Sequence, residues 1–110
     1  MEVLGSNPSA PTNIFHIMVK DQKRVQVIYS GYVQGVGFRF AAVRVASQYD
    51  ITGFVKNLPD GNVIAVAEGS KHQLDAFLES LGKEMIDYIR DSQVEWEPPT
   101  GEFGSFGIKF

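Results

Sequence analysis

Cysteine is absent from the 110 residues of the chain, and long apolar segments are absent as well. Without cysteine the protein has no disulfide bond, no thiolate nucleophile and no zinc or iron–sulfur site built on cysteine ligands. Its apolar runs extend over only a few residues, whereas a membrane-spanning helix needs about 20. The first residues also lack the basic start and apolar core of a secretory signal. We therefore expect a cytoplasmic protein without membrane partners.

Basic charge is scarce, since 10 Lys and Arg residues stand against 13 Asp and Glu residues and the formal net charge is −3. Nucleic acids are held largely by summed basic charge, so we expect no nucleic-acid partner, and any anion must be captured by a local site. The two histidines, His16 and His72, do not have the spacing of a metal motif. We expect no metal ion and no organic cofactor.

A single folded domain is the organisation that 110 residues support. Residues 1 to 13 combine Gly, Ser, Asn, Pro and Thr without a sustained apolar period. We assign residues 1–22 to a flexible N-terminal extension or an added leader, and residues 23–110 to the domain, which we expect to act as a monomer.

Apolar periodicity predicts the element order β-α-β-β-α-β with a final β segment. Alternation from Arg24 onward indicates the first strand, and the Asp60-Gly61 pair indicates a hairpin turn. The other predicted strands cover residues 52–58, 62–69, 93–97 and 106–110, and the predicted helices cover residues 38–49 and the stretch from an N-cap at Ser70 to Gly82. This order predicts a ferredoxin-like split βαβ sandwich of the α+β class, with an antiparallel sheet and two helices on one face.

The stretch "GYVQGVGFRF", residues 31–40, places three glycines and an arginine between the first strand and the first helix. A glycine-rich turn at a helix N-terminus can bind an anion through backbone amides and the helix dipole. The stretch lacks the closing Gly-Lys-Ser/Thr of a nucleoside triphosphate loop, and Phe40 replaces the third glycine of G-x-G-x-x-G. Spacing alone leaves two readings open: a cradle for one small anion with Arg39 at its exit, or a tight turn with a solvated arginine.

The segments "SGYVQGVGFRF" and "TGFVKNLPDGNVIAVAEG" resemble the two signature segments of acylphosphatases, small hydrolases of the carboxyl–phosphate anhydride bond. The resemblance runs from about Arg24 to Phe110. It implies that Arg39 and a set of loop amides hold the phosphoryl oxygens, and that Asn57 orients the attacking water. The implied amides belong to Gln34, Gly35, Val36, Gly37 and Phe38.

The implied reaction cleaves a small acyl phosphate to a carboxylate and inorganic phosphate, with the phosphate also expected to inhibit. A carboxylate is a good leaving group, so the protein needs only to bind the phosphoryl group, screen its charge and place water in line. This fits segments that contain no histidine, cysteine or carboxylate pair for strong acid–base or covalent catalysis. The alternative is a non-catalytic module of the same kind that binds phosphate, another anion or a partner.

Overall fold

The structure, a computed structural model, describes residues 21–110. In chain order its elements are β1 (Gln22–Gly31), α1 (Phe38–Ala46), β2 (Ile51–Asn57), β3 (Val63–Ser70), α2 (Lys71–Glu84), β4 (Ile89–Glu97) and β5 (Phe106–Lys109). Of the predicted extension over residues 1–22, only Asp21 and Gln22 are described, and Gln22 already begins β1. His16 lies outside the described residues.

The strands form one sheet in the order β4-β1-β3-β2-β5. On β1, Val25, Val27 and Tyr29 are buried while the residues between them are less so, because alternate side chains of a strand point to opposite faces. The buried face joins both helices in one core, so both lie on the same side of the sheet. The helices contribute Phe38, Ala41, Ala42, Val45, Ala46, Leu74, Phe77 and Leu81 to that core.

The predicted ferredoxin-like arrangement is confirmed, and one pairing differs from a wholly antiparallel sheet. β5 pairs with β2 in parallel, which makes the sheet mixed. The reason lies in the chain path: β4 ends where Glu97 pairs with Arg24 near the start of β1. The connection over residues 98–105 then crosses the sheet from one edge to the other, and the chain enters β5 in the direction of β1 and β2.

Several element ends differ from the predicted ones, most of them by one or two residues. Helix α1 ends at Ala46 instead of residue 49, and β4 begins at Ile89 instead of residue 93. Helix α2 begins as predicted, because the Ser70 hydroxyl accepts a hydrogen bond from the Gln73 amide at 3.2 Å. It continues through Gly82 to Glu84, since Leu81 and the following Met85 are 0% and 4% exposed and this burial outweighs the low helix propensity of one glycine.

The direction of the strands determines where the chemistry can lie. β1 and β2 both run antiparallel to β3 between them, so their carboxyl ends meet at the same edge of the sheet. The glycine loop follows β1, and Asn57 is the last residue of β2. The fold therefore brings the two signature segments together. Among the helices of residues 21–110, none has the length and apolar character that crossing a membrane requires.

Candidate active site

The glycine loop, residues 32–37, joins the end of β1 to the first turn of α1 and is anchored at both ends. Val33 and Phe38 are 0% and 2% exposed, and the ring of Phe38 packs on Tyr29 with 4.9 Å between centroids. Burial raises the pKa of Tyr29 above its ordinary value, so its hydroxyl stays neutral. The amide of Tyr32 donates to the carbonyl oxygen of Tyr88 at 2.9 Å. These contacts anchor both ends of the loop to the sheet and to the segment before β4.

Glycine is needed in this loop for backbone conformation. Gly35 and Gly37 have φ angles of 78° and 80°, in the left-handed region that other residues seldom adopt. A Cβ atom at either position would meet no described atom within 4 Å. Gly31 has a different role, since a Cβ there would lie 2.5 Å from the carbonyl oxygen of Tyr88. Its missing side chain permits the close approach of β1 to the segment before β4.

Backbone donors collect where the loop enters α1. Gly37 is the N-cap, no side chain caps the helix, and the first turn holds no acidic residue. No amide of residues 34–38 donates a backbone hydrogen bond to another group of residues 21–110. The first amides of a helix have no acceptor within the helix and carry its partial positive charge. The loop and helix start are thus suited to an anion.

Arg39 is the second residue of α1 and is half-buried. It forms no ion pair with any other residue of the described part of the chain. Its guanidinium carbon Cζ lies 5.2 Å from the ring centroid of Phe110, in cation–π contact. The hydrogen-bond donors of the guanidinium are therefore not committed to a carboxylate and can bind an anion in two-point fashion.

Asn57 ends β2 opposite Val63 of β3. Two residues earlier on the same strand, Val55 is fully buried in the core. Because strand residues alternate between faces, the side chain of Asn57 shares the helix side of the sheet with Val55. It is half-buried there and lines the same cavity as Arg39.

Gln34 connects the two segments through its side chain. Its Nε2 donates to the carbonyl oxygens of Leu58 and Asn62 at 2.7 and 2.8 Å. Both acceptors belong to the turn between β2 and β3, directly after Asn57. Sequence reasoning assigned only the Gln34 amide a role, and the side chain adds a clamp between the loop and the turn.

A cavity of about 250 Å³ lies where the loop, the start of α1 and the end of β2 meet. Its lining consists of Val33, Gly35, Gly37, Phe38, Arg39, Phe40 and Asn57. Five predicted site residues are thus brought together. Two others, Gln34 and Val36, do not line it. The Gln34 side chain points to the β2–β3 turn instead. The arrangement can hold one small anion beside a neutral amide side chain.

Comparison with known proteins identifies this arrangement. A model of the acylphosphatase family matches residues 25–108, which include the loop, the cavity and the whole sheet core. The chain belongs to the acylphosphatase family.

Acylphosphatases of known sequence and structure agree with this assignment over most of the chain. The acylphosphatase of Trichormus variabilis is 41% identical over 95 residues, covering 78% of this chain and 85% of that protein. The crystal structure of acylphosphatase from Bacillus subtilis has a TM-score of 0.72 at 29% identity and covers 80% of this chain and 99% of that chain. The protein is accordingly a hydrolase of acyl phosphates, which it converts to a carboxylate and inorganic phosphate.

A further match is with a much longer protein. The crystal structure of HypF from T. kodakarensis has a TM-score of 0.70 at 33% identity and covers 80% of this chain but only 12% of that chain. The acylphosphatase fold of this chain therefore also occurs as a small part of a larger polypeptide.

Two aromatic residues at the acylphosphatase site were missed by sequence reasoning. Phe40 lines the cavity and is 71% exposed, and Phe110 lies on the Arg39 guanidinium. A signal for Phe40 was present, because the helical period that buries Phe38, Ala41 and Ala42 leaves residue 40 off the core face. Nothing in the local sequence pattern indicated that Phe110 would reach Arg39.

Metal ligands do not assemble in the described part of the acylphosphatase domain. Within residues 21–110, no group of three His, Cys, Asp or Glu side chains could hold a metal ion. His72 is exposed in the first turn of α2.

Proposed function

We propose that this acylphosphatase hydrolyses its substrate by in-line attack of a water molecule oriented by Asn57 on a phosphoryl group held by Arg39 and the amides of residues 34–38. One observation carries the proposal: Arg39 and Asn57, which are 18 positions apart in the sequence, line one cavity at the N-terminus of α1. A cationic donor, unpartnered amides and a neutral side chain in the same small space support these roles.

Phosphoryl binding rests on donors that need no rearrangement. The amides at the start of α1 and the Arg39 guanidinium can surround the phosphoryl oxygens and balance the charge that develops as the bond to the acyl group breaks. Because no carboxylate among residues 21–110 pairs with Arg39, the hydrogen-bond donors of its guanidinium are available to the anion.

Water activation is assigned to Asn57 because its side chain both donates and accepts hydrogen bonds and carries no charge that would repel an anion. Attack forms a bond between the water oxygen and phosphorus, and the bond between phosphorus and the acyl oxygen breaks with its electron pair leaving on the carboxylate. The proton of the water passes to a phosphoryl oxygen. No protein acid is required, because the carboxylate is stable once expelled.

The deciding experiment measures hydrolysis of acetyl phosphate by the parent, Arg39→Ala and Asn57→Ala, with and without a chelator. Losing one preorganised donor of this kind typically lowers kcat about 10²- to 10³-fold. Arg44→Ala is the matched control, since Arg44 lies on the same helix but pairs with Glu84 on the surface. Full activity in both site variants would contradict the assigned roles, and an inactive, folded parent would contradict the proposed hydrolysis.

The alternative is a non-catalytic module of the same fold that binds phosphate, another anion or a partner. It predicts that inorganic phosphate shifts the NMR signals of residues 34–39 while acetyl phosphate stays intact. Turnover that Arg39→Ala abolishes would exclude it.

We also propose that the protein is a cytoplasmic monomer without nucleic-acid or membrane partners. Its net charge of −3 supports the absence of a nucleic-acid partner, because nucleic acids are held largely by summed basic charge. Sedimentation equilibrium tests whether the protein is a monomer, and a titration with RNA at low salt tests whether it lacks a nucleic-acid partner.

A further inference from the structure

Two phenylalanines stand beside the phosphoryl-binding groups and are called here the aromatic rim: Phe40 and Phe110. They are 71% and 92% exposed. Single exposed apolar residues are common on proteins, but these two flank one functional group. Phe40 lines the cavity with Arg39, and the ring of Phe110 lies 5.2 Å from the Arg39 guanidinium carbon.

Phe40 does not serve the core of the protein. Its neighbour two positions earlier, Phe38, is 2% exposed and packs on Tyr29. Helix periodicity directs residues 38, 41, 42 and 45 inward and places residue 40 outside that face. Covering its ring with an apolar group of a ligand would remove apolar surface from water, which is favourable in proportion to the area covered.

Phe110, the other ring of the aromatic rim, contacts the Arg39 guanidinium. A ring placed over a guanidinium attracts it electrostatically and restricts its orientation. It also covers one face of the cation with apolar surface, so a substrate bound to Arg39 has an aromatic group close to the phosphoryl oxygens. The rim thus borders the phosphoryl-binding groups at Phe40, within the cavity, and at Phe110, against the guanidinium.

The ring of Phe40 lies next to the position proposed for the phosphoryl group. The cavity of about 250 Å³ is lined by Gly35, Gly37 and Arg39 on one hand and by Phe40 on the other. An acyl group attached to a phosphoryl group held at these glycines and Arg39 therefore starts within reach of the Phe40 ring.

We propose that the aromatic rim binds the acyl group, and that this acylphosphatase therefore prefers acyl phosphates with an apolar, ring-bearing acyl group over acetyl phosphate. The inference rests on the proposed placement of the phosphoryl group at Arg39. It assigns Phe40 and Phe110 to substrate selection and leaves the chemical step to Arg39 and Asn57.

The test compares kcat/KM for benzoyl phosphate and acetyl phosphate in the parent and in Phe40→Ala, Phe110→Ala and Phe40→Leu. For each substrate, the kcat/KM of a variant is divided by that of the parent, so the different intrinsic reactivities of the two substrates cancel. Pocket contacts with a few carbon atoms change such ratios about 10-fold or more. We expect Phe40→Ala to lose about 10-fold with benzoyl phosphate and less than about 2-fold with acetyl phosphate, with Phe40→Leu between parent and alanine.

Two controls separate substrate binding from a structural effect. Trp96→Ala removes an aromatic ring on β4 that is 40% exposed and does not line the cavity, and it should leave the ratio unchanged. The inhibition constant of inorganic phosphate should be the same in Phe40→Ala and the parent, because the phosphoryl contacts remain. Equal losses on both substrates, or the same selective loss in Trp96→Ala, would overturn the proposed role of the aromatic rim in acyl binding. An inactive parent would instead overturn the proposed hydrolysis.

Discussion

At the scale of single residues, Gln34 makes the contact that most directly joins the halves of the site. Its Nε2 donates to Leu58 and Asn62 carbonyl oxygens that follow Asn57 in the chain. These oxygens also accept backbone bonds within the turn, so they retain partners if Gln34 is removed. The side chain is therefore a positioning group, because it sets the distance between the phosphate-binding loop and the strand that bears Asn57.

Gln34→Ala should lower the free energy of unfolding by about 1–3 kcal/mol, the value of two ordinary hydrogen bonds. A small displacement of Asn57 should lower kcat with acetyl phosphate about 10- to 100-fold. Binding of inorganic phosphate should change little, since the backbone amide of residue 34 and Arg39 remain. Gln93→Ala on the exposed strand β4 is the control. Equal kcat in Gln34→Ala and the parent would contradict the positioning role.

At the scale of elements, two glycines with equal room around them have opposite roles. Gly37 is the N-cap of α1, and Gly82 lies inside α2. A Cβ atom added at either position would meet no neighbouring atom within 4 Å among the described residues. Only Gly37 has a positive φ angle, of 80°. Backbone conformation, not space, therefore decides which position tolerates a side chain.

Gly37→Ala should destabilise the protein by about 1–2 kcal/mol, the cost of a left-handed non-glycine residue. Gly82→Ala should stabilise it by about 0.5–1 kcal/mol, because alanine favours helix. Urea unfolding measures both, and the acetyl phosphate assay should show a loss for Gly37→Ala alone. If the two substitutions shift the free energy of unfolding in the same direction, backbone conformation does not decide which glycine tolerates a side chain.

At the scale of the whole molecule, a polar network ties the connection between the two sheet edges to the open face of the sheet. Glu68 of β3 is 5% exposed and accepts hydrogen bonds from Arg24 at 3.0 Å, the Thr100 hydroxyl at 2.7 Å and the Gly101 amide at 2.8 Å. Burial acts to raise the pKa of Glu68, but these hydrogen bonds outweigh it and the pKa lies below its ordinary value. Nearby, Phe103 packs edge-on against Phe54 with 5.8 Å between centroids.

A lowered folded-state pKa implies that Glu68 contributes stability above its ordinary pKa of 4.5, and that this stability is lost as pH falls through the folded-state value. Glu68→Gln should lower the free energy of unfolding at neutral pH by about 1–3 kcal/mol and flatten its decline below about pH 4.5. Urea unfolding over a pH series measures both effects. Activity at neutral pH should persist, because Glu68 lies at the opposite end of β3 from Val63, the partner of Asn57.

Glu84→Gln is the control for this experiment, since Glu84 pairs with Arg44 on the surface, where solvent screens the interaction. If Glu68→Gln and Glu84→Gln gave the same pH profile, the buried network would not be the source of the acid dependence.

Local patterns in the amino-acid sequence were sufficient to predict the order of elements, the ferredoxin-like class, the N-cap at Ser70 and the two segments that carry the acylphosphatase motif, because these depend on periodicity, turn chemistry and short motifs. The folded molecule was needed to reveal the parallel pairing of β5 with β2, the clamp from Gln34 to the β2–β3 turn and the contact of Phe110 with Arg39. Each of these joins residues far apart in the chain, and such contacts depend on how the strands are ordered across the sheet, which local patterns do not encode.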